Sequence, residues 1–223
     1  MQLHSVYARF YRSLNYDFVR ASGETYVADP WDATPMGNYP FVRVKLRPGI
    51  TTVVGANESG KSQVLRAIEA ALTGKGFDRS DFCRYSRFFG VDGTVTLPEF
   101  GAVYSEISLA DLKEIEAMSS LRNLSDIDRV GIFRMNDTPV LRVYVRSVGG
   151  AWSDGGHIKS STSLANLGAP VPFRIDADVP LPDSVPIQYL ATGKVAAGAG
   201  RRSLRAFWDR LNQNRDWFGS EAS

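Results

Sequence analysis

The residues best suited to chemistry lie in one short motif, GANESGKS at positions 55–62. It matches the pattern G-x-x-x-x-G-K-[ST] in full, and Gly55 and Gly60 occupy its two glycine positions. Glycine is needed there because a Cβ would block a loop from closing around a polyphosphate. Lys61 is placed to contact the β- and γ-phosphates as a point charge, and the hydroxyl of Ser62 is placed to hold Mg²⁺. The motif predicts a nucleotide site with ATP and Mg²⁺ as cofactors.

The whole loop is expected to contact the nucleotide through its backbone N–H groups. The predicted cofactor-binding residues here are Gly55, Asn57, Glu58, Ser59, Gly60, Lys61, Ser62 and Gln63. Ser62 is the one expected metal ligand. Glu58 is not expected to be the base of hydrolysis, because the loop surrounds the phosphates on the side opposite the attacking water. The sequence predicts no catalytic residue. The alternative to a nucleotide site is a glycine-rich turn beside a surface lysine, with no bound ligand.

The motif needs an extended segment before it and a helix after it. FVRVKL at 41–46 alternates as a strand does, and the apolar run ITTVV at 50–54 predicts a buried strand leading into the loop. Apolar residues then recur at helical spacing from Gly60 to Leu72, and Gly74 is a candidate C-cap. The expected buried face of this helix consists of Val64, Leu65, Ile68, Ala71 and Leu72. A strand-loop-helix core is therefore predicted at 41–75.

Strands are also predicted on both sides of this core. The alternation near the N-terminus predicts strands at 2–11 and 15–20, followed by a Pro- and Gly-rich loop at 28–40. Downstream, a β-rich part at 91–148 contains further expected strands, which lie at 91–97, 101–107, 130–135 and 139–147. The last two should form a hairpin.

Two more helices are predicted after the loop. Ser108 and Asp111 have the spacing of a capping box at the start of one helix. A second, amphipathic helix is predicted at 201–218, after a loop-rich stretch at 149–200. Its segment 201–215 holds five arginines against one aspartate, which we read first as a solvated helix face and second as a phosphate-binding patch. The whole chain is expected to form a single ATP-binding lobe over 1–223.

Composition excludes several classes of protein. With 43% hydrophobic and 22% charged residues, the chain has the balance of a globular protein rather than a disordered one. It has no uninterrupted run of about 18 apolar residues, so no membrane partner is expected. The single cysteine, Cys83, cannot form an intrachain disulfide, and with His4 and His157 it makes no zinc-ligand cluster. These features fit a cytoplasmic location.

The form of the motif is more informative than the generic pattern. G-x-N-x-S-G-K-S, preceded by RPGITTVVG, resembles ABC-type ATPases that act on nucleic acid or chromosomes. These are the structural-maintenance-of-chromosomes (SMC) class and the overcoming-lysogenization-defect (OLD) class. FYRSLNYDF near the N-terminus is similar to the strand with which such heads begin, and VLRAIEAAL followed by DRSDFCRYS looks most like the OLD class. VPIQYL at 185–190 adds a looser likeness.

The resemblance implies the fold of an ABC-type head lobe, with a mixed sheet that includes an antiparallel N-terminal subsheet. It also implies a head that dimerises around two nucleotides, a nucleic-acid target in DNA repair or phage defence, and a nucleotide contact by Arg12. A homo-oligomer or a partner ATPase half is the expected partner. The chain departs from the family in lacking an apolar run that ends in Asp-Glu, since the nearest candidate, GIFRMND at 131–137, is interrupted by Arg134. It therefore looks like the N-terminal part of a larger ATPase.

Three functional classes stay open at this level. The first is the ATPase lobe, which hydrolyses ATP if the missing half is supplied. The second is a scaffold that binds ATP without hydrolysing it. The third is a kinase with a small substrate. A GTPase is disfavoured because the sequence contains no N-K-x-D guanine-binding motif.

Overall fold

The structure is a computed structural model, which describes residues 1–19, 27–34, 37–90, 95, 97–119, 121–122, 124, 126–135, 140–158 and 168–172. All of these residues belong to one compact unit, Met1–Pro172. The predicted helix at 201–218 lies outside the described residues, as does most of the predicted strand at 91–97.

A six-stranded antiparallel sheet forms the centre of this unit. The strands in chain order are β1 (Gln2–Arg9), β2 (Ala33–Thr34), β3 (Gly37–Asn38), β4 (Val42–Lys45), β5 (Glu99–Ser105), β6 (Ile127–Arg134), β7 (Leu141–Ser147) and β8 (Trp152–Ile158). Their order in the large sheet is β4-β1-β5-β6-β7-β8, while β2 and β3 form a separate short pair. The predicted strand at 41–46 and the predicted β6-β7 hairpin are confirmed.

In the described part of the chain, three α-helices accompany the strands. They are α1 (Tyr16–Val19), α2 (Lys61–Thr73) and α3 (Leu109–Met118). Single turns of 3₁₀ helix lie at Pro30–Asp32 and Arg79–Asp81. The fold is therefore of the predicted α/β class with an antiparallel sheet. The second predicted strand, at 15–20, is wrong, because the chain turns tightly after Tyr11 and then forms α1.

Helix α2 begins and ends near the predicted residues, and Ala71 and Leu72 of its predicted face pack against the core, but its fully buried residues are two others, Ala67 and Ala70. Gly74 is its C-cap, with a φ of 66° and an N–H that donates to the carbonyl of Ala70. Ala67 and Ala70 are buried, whereas Leu65 is 53% exposed. The small alanines allow the helix to approach β1 and β5 closely and to pack against Phe100, so alanine spacing rather than the largest apolar residues defines the buried face.

Helix α3 covers the rest of the same sheet face. The predicted capping box is present, since the Ser108 side chain accepts from the Asp111 N–H and the Asp111 side chain accepts from the Ser108 N–H. Leu112 and Ile115 of α3 are buried. They pack in a cluster with residues of β5, β6 and β7, among them Tyr104. Together α2 and α3 place the main core on one side of the sheet.

Aromatic side chains cover part of the opposite sheet face. Trp31 stacks on Phe133 with ring centroids 4.5 Å apart, and Tyr7 and Tyr144 contact the same two rings. Phe133 lies across Gly101 of β5, where a Cβ would collide with its ring. The 29–41 segment is thereby held against the sheet by aromatic packing.

Two further expectations are wrong. The run at 50–54 forms no strand, and Ile50 and Val54 are 89% and 86% exposed, because no described strand pairs with this segment. The stretch WSDGGH at 152–157, expected as loop, lies in β8. A turn at Ser147–Gly150 brings it back along β7, and such glycine turns are a hairpin signal.

Candidate nucleotide site

The GANESGKS loop connects the extended segment at 50–54 to the N-terminus of α2. A Cβ on Gly55 would lie 2.5 Å from the Ser59 Oγ, so a larger residue there would require the Ser59 side chain to move. Gly60 has a φ of 89°, a left-handed conformation that favours glycine, and it is the N-cap of α2. As the N-cap, Gly60 supplies no side-chain hydrogen bond to the helix, and the Gln63 N–H donates to the Gly60 carbonyl at 2.9 Å. A helix N-terminus of this kind favours the binding of an anion. The two glycines thus lie at the start of the loop and at its junction with α2, and their contact with phosphates stays a prediction.

Lys61 folds back over its own loop. Its Nζ donates to the carbonyl of Gly55 at 2.8 Å and to the carbonyl of Ala56 at 2.5 Å. An ammonium group with three donors exchanges such neutral acceptors readily for phosphate oxygens, which carry more negative charge. The ammonium group therefore lies against the loop that is expected to enclose the phosphates.

The other predicted loop residues are accessible to solvent. Asn57, Glu58, Ser59 and Ser62 are all exposed. The Ser62 hydroxyl follows Lys61 directly at the start of α2, where a phosphate-bound Mg²⁺ would take one oxygen ligand from it. Among the described residues, no group of three or more His, Cys, Asp or Glu side chains could hold a metal ion.

Gln63 connects the loop to the end of β1. Its Oε1 accepts hydrogen bonds from the Ser13 N–H at 3.1 Å and from the Ser13 Oγ at 2.6 Å. The Ser13 Oγ also lies close to Gly60, because a Cβ added to Gly60 would be only 3.2 Å from it. These contacts bring a residue 50 positions earlier in the chain next to the phosphate loop.

Arg12 lies beside Ser13 and is held by Asp81. The Arg12 Nη2 is 2.6 Å from the Asp81 Oδ1, and the Arg12 Nε donates to the same oxygen at 2.8 Å. This hydrogen bond to Asp81 raises the pKa of Arg12 above its ordinary value. The Arg12 side chain is still 37% exposed, so part of the guanidinium faces solvent near the loop.

A cavity of about 300 Å³ opens beside these residues. Arg12, Ser13 and Gln63 line one side, and the 80–85 segment lines the other. This volume is at the lower end of the range for small-molecule sites, about 300–1,000 Å³. Tyr85 is 80% exposed at the cavity wall. Of the predicted loop residues, Gln63 lines this cavity.

Cys83, His4, His157 and Arg134 were also considered from the sequence, and each has a defined place in the fold. Cys83 is buried, and its N–H donates to the carbonyl of Phe10, which joins the 80–85 segment to the end of β1. His157 lies on β8 and His4 on β1. The described part of GIFRMND lies on and just after β6, where Arg134 packs under Gly74. Of these four residues, Cys83 lines the cavity, whereas His4, His157 and Arg134 do not.

Ser13 and Asp81 are the two site residues that sequence reasoning missed. Asp78 and Asp81 form a capping box around the 3₁₀ turn, in which each side chain accepts from backbone N–H groups of the turn. The three-residue spacing of DRSD is a recognisable signal for such a turn. Nothing in the sequence indicates that Asp81 faces Arg12.

The chain is similar to ATPase domains. Residues 37–137 match the family model of the AAA domain, a stretch that contains the phosphate loop and α2. No curated protein matches the chain. Among solved structures, one from work on ATP-driven dimerization and DNA-stimulated activation of SMC ATPases is similar, with a TM-score of 0.41 and 14% identity over 95% of this chain and 99% of that chain. In the described part of this chain, no helix is long and apolar enough to cross a membrane.

Proposed function

We propose that the chain is the ATP-binding lobe of an ABC-type ATPase of the SMC or OLD class and that it acts on nucleic acid. The observation that carries this proposal is the complete phosphate loop at the N-terminus of α2, with Lys61 bonded to the carbonyls of Gly55 and Ala56. The AAA match over 37–137 supports the same assignment.

In this proposal the loop amides of residues 55–63 bind the β- and γ-phosphates. Lys61 leaves its two carbonyl acceptors and takes phosphate oxygens, while Ser62 supplies an oxygen to Mg²⁺. Arg12 and the 80–85 segment line one cavity, and in this proposal they receive the nucleoside end of ATP, which makes Arg12 a nucleotide contact. A second copy or a partner ATPase half completes the site, and DNA repair or phage defence is the process served.

The test is a calorimetric titration of the chain with ATP and Mg²⁺. Replacing Lys61 by Ala removes a charge-assisted contact worth about 1.5–3 kcal/mol, so the affinity should fall about ten- to a hundred-fold. Lys75→Ala is the matched control, because Lys75 is exposed just after α2 and makes no side-chain contact with the loop. Equal affinities of wild type and Lys61→Ala would contradict the proposal.

A second candidate is a scaffold that binds ATP without hydrolysing it. It is favoured by one observation: the carboxylate that lines the cavity, Asp81, is already in an ion pair with Arg12. The described residues that line the cavity therefore include no carboxylate outside an ion pair. Measuring ATP turnover of the purified chain separates the two candidates. A rate of about 1 per second is typical of efficient phosphoryl transfer and would favour the ATPase, whereas a scaffold should not hydrolyse ATP.

A further inference from the structure

Gln63 lies where the phosphate loop joins α2, and its side chain reaches a distant segment of the chain. Its Oε1 accepts hydrogen bonds from both the backbone N–H and the Oγ of Ser13. A side-chain amide oxygen has two lone pairs, so it can accept both bonds at once. This double contact fixes the backbone and the side chain of Ser13 against the first turn of α2. We call it the Gln63–Ser13 clamp.

One end of the clamp belongs to the helix that carries the phosphate loop. Gln63 follows Ser62 directly, and its own N–H donates to the carbonyl of Gly60, the N-cap of α2. The Ser13 Oγ also lies close to Gly60. The clamp therefore joins Ser13 to the residues that form the end of the phosphate loop.

The other end of the clamp holds a strained turn. Ser13 follows Arg12, whose φ of 48° is a left-handed conformation that a non-glycine residue keeps only where its surroundings enforce it. The Arg12 N–H donates to the carbonyl of Asp81, and the Arg12 Nε and Nη2 bond to the Asp81 Oδ1. The Arg12 turn is thus held by the 3₁₀ turn at 79–81 on one side and by α2 on the other.

Part of the Arg12 guanidinium is available to a ligand. Its Nη1 makes no hydrogen bond with any described residue, and the side chain is partly exposed. Arg12, Ser13 and Gln63 line the same cavity. Because α2 carries the phosphate loop at its N-terminus, the clamp sets where this guanidinium lies relative to the loop.

The clamp is poorly suited to a purely structural role. Ser13 is exposed and Gln63 is half-buried, so both hydrogen bonds lie near solvent. Hydrogen bonds that exchange with water contribute little net stability to a fold. What the clamp does provide is one defined placement of the Arg12 turn.

We propose that Gln63 is a positioning residue for ATP. The Gln63–Ser13 clamp holds the Arg12 turn beside the phosphate loop, so that Arg12 contacts the nucleoside end of ATP while the loop binds the phosphates. This inference rests on the proposed function. It gives the Gln63 side chain a role through Arg12 rather than through its own contact with the nucleotide.

The test is a calorimetric titration of the full chain with two ligands in the presence of Mg²⁺: ATP, and tripolyphosphate, which has the three phosphates without a nucleoside. Gln63→Leu should lower the affinity for ATP about five- to tenfold and the affinity for tripolyphosphate less than about twofold. Ser13→Ala removes the Oγ bond and keeps the N–H bond, so it should show the same pattern with a loss of about two- to fourfold for ATP. The matched control is Arg66→Leu, an exposed residue of α2 outside the cavity, which should bind both ligands nearly as wild type does.

A double-mutant cycle with Arg12→Gln tests the route of the effect. In the Arg12→Gln background, Gln63→Leu should lower the affinity for ATP by no more than about twofold further, because the residue through which it acts is already lost. Thermal unfolding of Gln63→Leu should give a Tm within about 3 °C of wild type, since the clamp lies near solvent.

The outcomes that overturn the inference differ from one another. Equal losses for ATP and tripolyphosphate, with or without a lower Tm, would show that Gln63 supports the phosphate loop itself. A full loss of ATP affinity on adding Gln63→Leu to Arg12→Gln would show that Gln63 acts without Arg12. Wild-type ATP affinity in Gln63→Leu, with Lys61→Ala defective, would remove the inference and leave the ATP site. Absence of ATP binding by the wild-type chain would remove the proposed function, and this inference with it.

Discussion

Phe10, Arg12 and Glu58 adopt left-handed backbone conformations, with φ of 58°, 48° and 63°. Each such conformation costs a non-glycine residue about 1–3 kcal/mol and persists only where surrounding contacts hold it. The Arg12 N–H donates to the carbonyl of Asp81 at 2.9 Å, and the carbonyl of Phe10 accepts from Cys83 at 2.7 Å. These bonds fix the turn that places Ser13 beside the phosphate loop. The strained turn from Phe10 to Arg12 is therefore held in place by backbone hydrogen bonds to the 81–83 segment.

The Asp128 carboxylate provides a test of electrostatics at single-residue level. Hydrogen bonding from Arg146 lowers the pKa of Asp128 below its ordinary value, and the charges of Arg146 and Arg129 act in the same direction. Because the pKa is lower in the folded state, the stabilisation is present above the unfolded pKa of about 3.9 and is lost as the pH falls through the folded pKa. The pair is partly exposed, so its contribution should be about 0.2–1 kcal/mol.

The measurement is urea unfolding of wild type and Asp128→Asn from pH 7 down to pH 3. Wild type should be more stable than the variant by a constant amount between pH 5 and 7, and the difference should shrink below about pH 4. A difference that grew on acidification would contradict this assignment.

At the level of elements, β5 and β6 pack closely because Gly101 of β5 has no side chain. Gly101 leaves room for the ring of Phe133, and the ring of Trp31 stacks on Phe133 with the two ring centroids 4.5 Å apart. Gly101→Ala inserts a methyl group into this packed contact, and overpacking of this kind costs about 1–3 kcal/mol. Chemical unfolding should report that loss.

Gly150→Ala is the matched control for Gly101→Ala. A Cβ at Gly150 would meet the Ser147 Cβ at 3.4 Å, an ordinary contact, so the change should stay within about 0.5 kcal/mol. Adding Phe133→Leu to Gly101→Ala should recover part of the loss, because the two substitutions affect the same space. Strictly additive effects would show that the ring does not occupy the space above Gly101.

At the scale of the whole molecule, one buried ion pair joins separate segments. Arg9 of β1 is paired with Glu99 of β5, and both side chains are almost fully buried. The Arg9 Nη1 also donates to the carbonyls of Tyr39 and Asp32, which lie in the segment that carries Trp31. Through Arg9, strand β1 thus holds the segment that carries Trp31. The chain that follows β1 then forms the turn that contains Ser13.

Nucleotide binding should stabilise the whole protein. A ligand that binds only the folded state at a hundred times its Kd adds about 2.7 kcal/mol, which for a chain of this length raises Tm by about 5–10 °C. Thermal unfolding with and without ATP and Mg²⁺ measures this shift. At the same ATP concentration, Lys61→Ala should show a much smaller rise, and an equal rise in both proteins would place ATP elsewhere.

The sequence by itself determined the features that depend on local chemistry. The helix that follows GANESGKS and its C-cap at Gly74 were predicted from residues close together in the chain, as were the capping box at Ser108 and the β6-β7 hairpin. Turns, caps and periodicity depend on neighbours within a few positions, so they can be read from a short window.

Only the tertiary structure decided which segments meet. Alanines rather than Leu65 face the sheet, because close approach to Phe100 matters more than hydrophobicity alone. The 50–54 run is exposed because a strand needs a partner, and apolar composition alone does not supply one. Arg12 meets Asp81 across 69 positions, and Arg43 shares its face with Arg146 through four intervening strand pairings. Long-range pairing is set by the packing of the complete sheet, which no local pattern encodes.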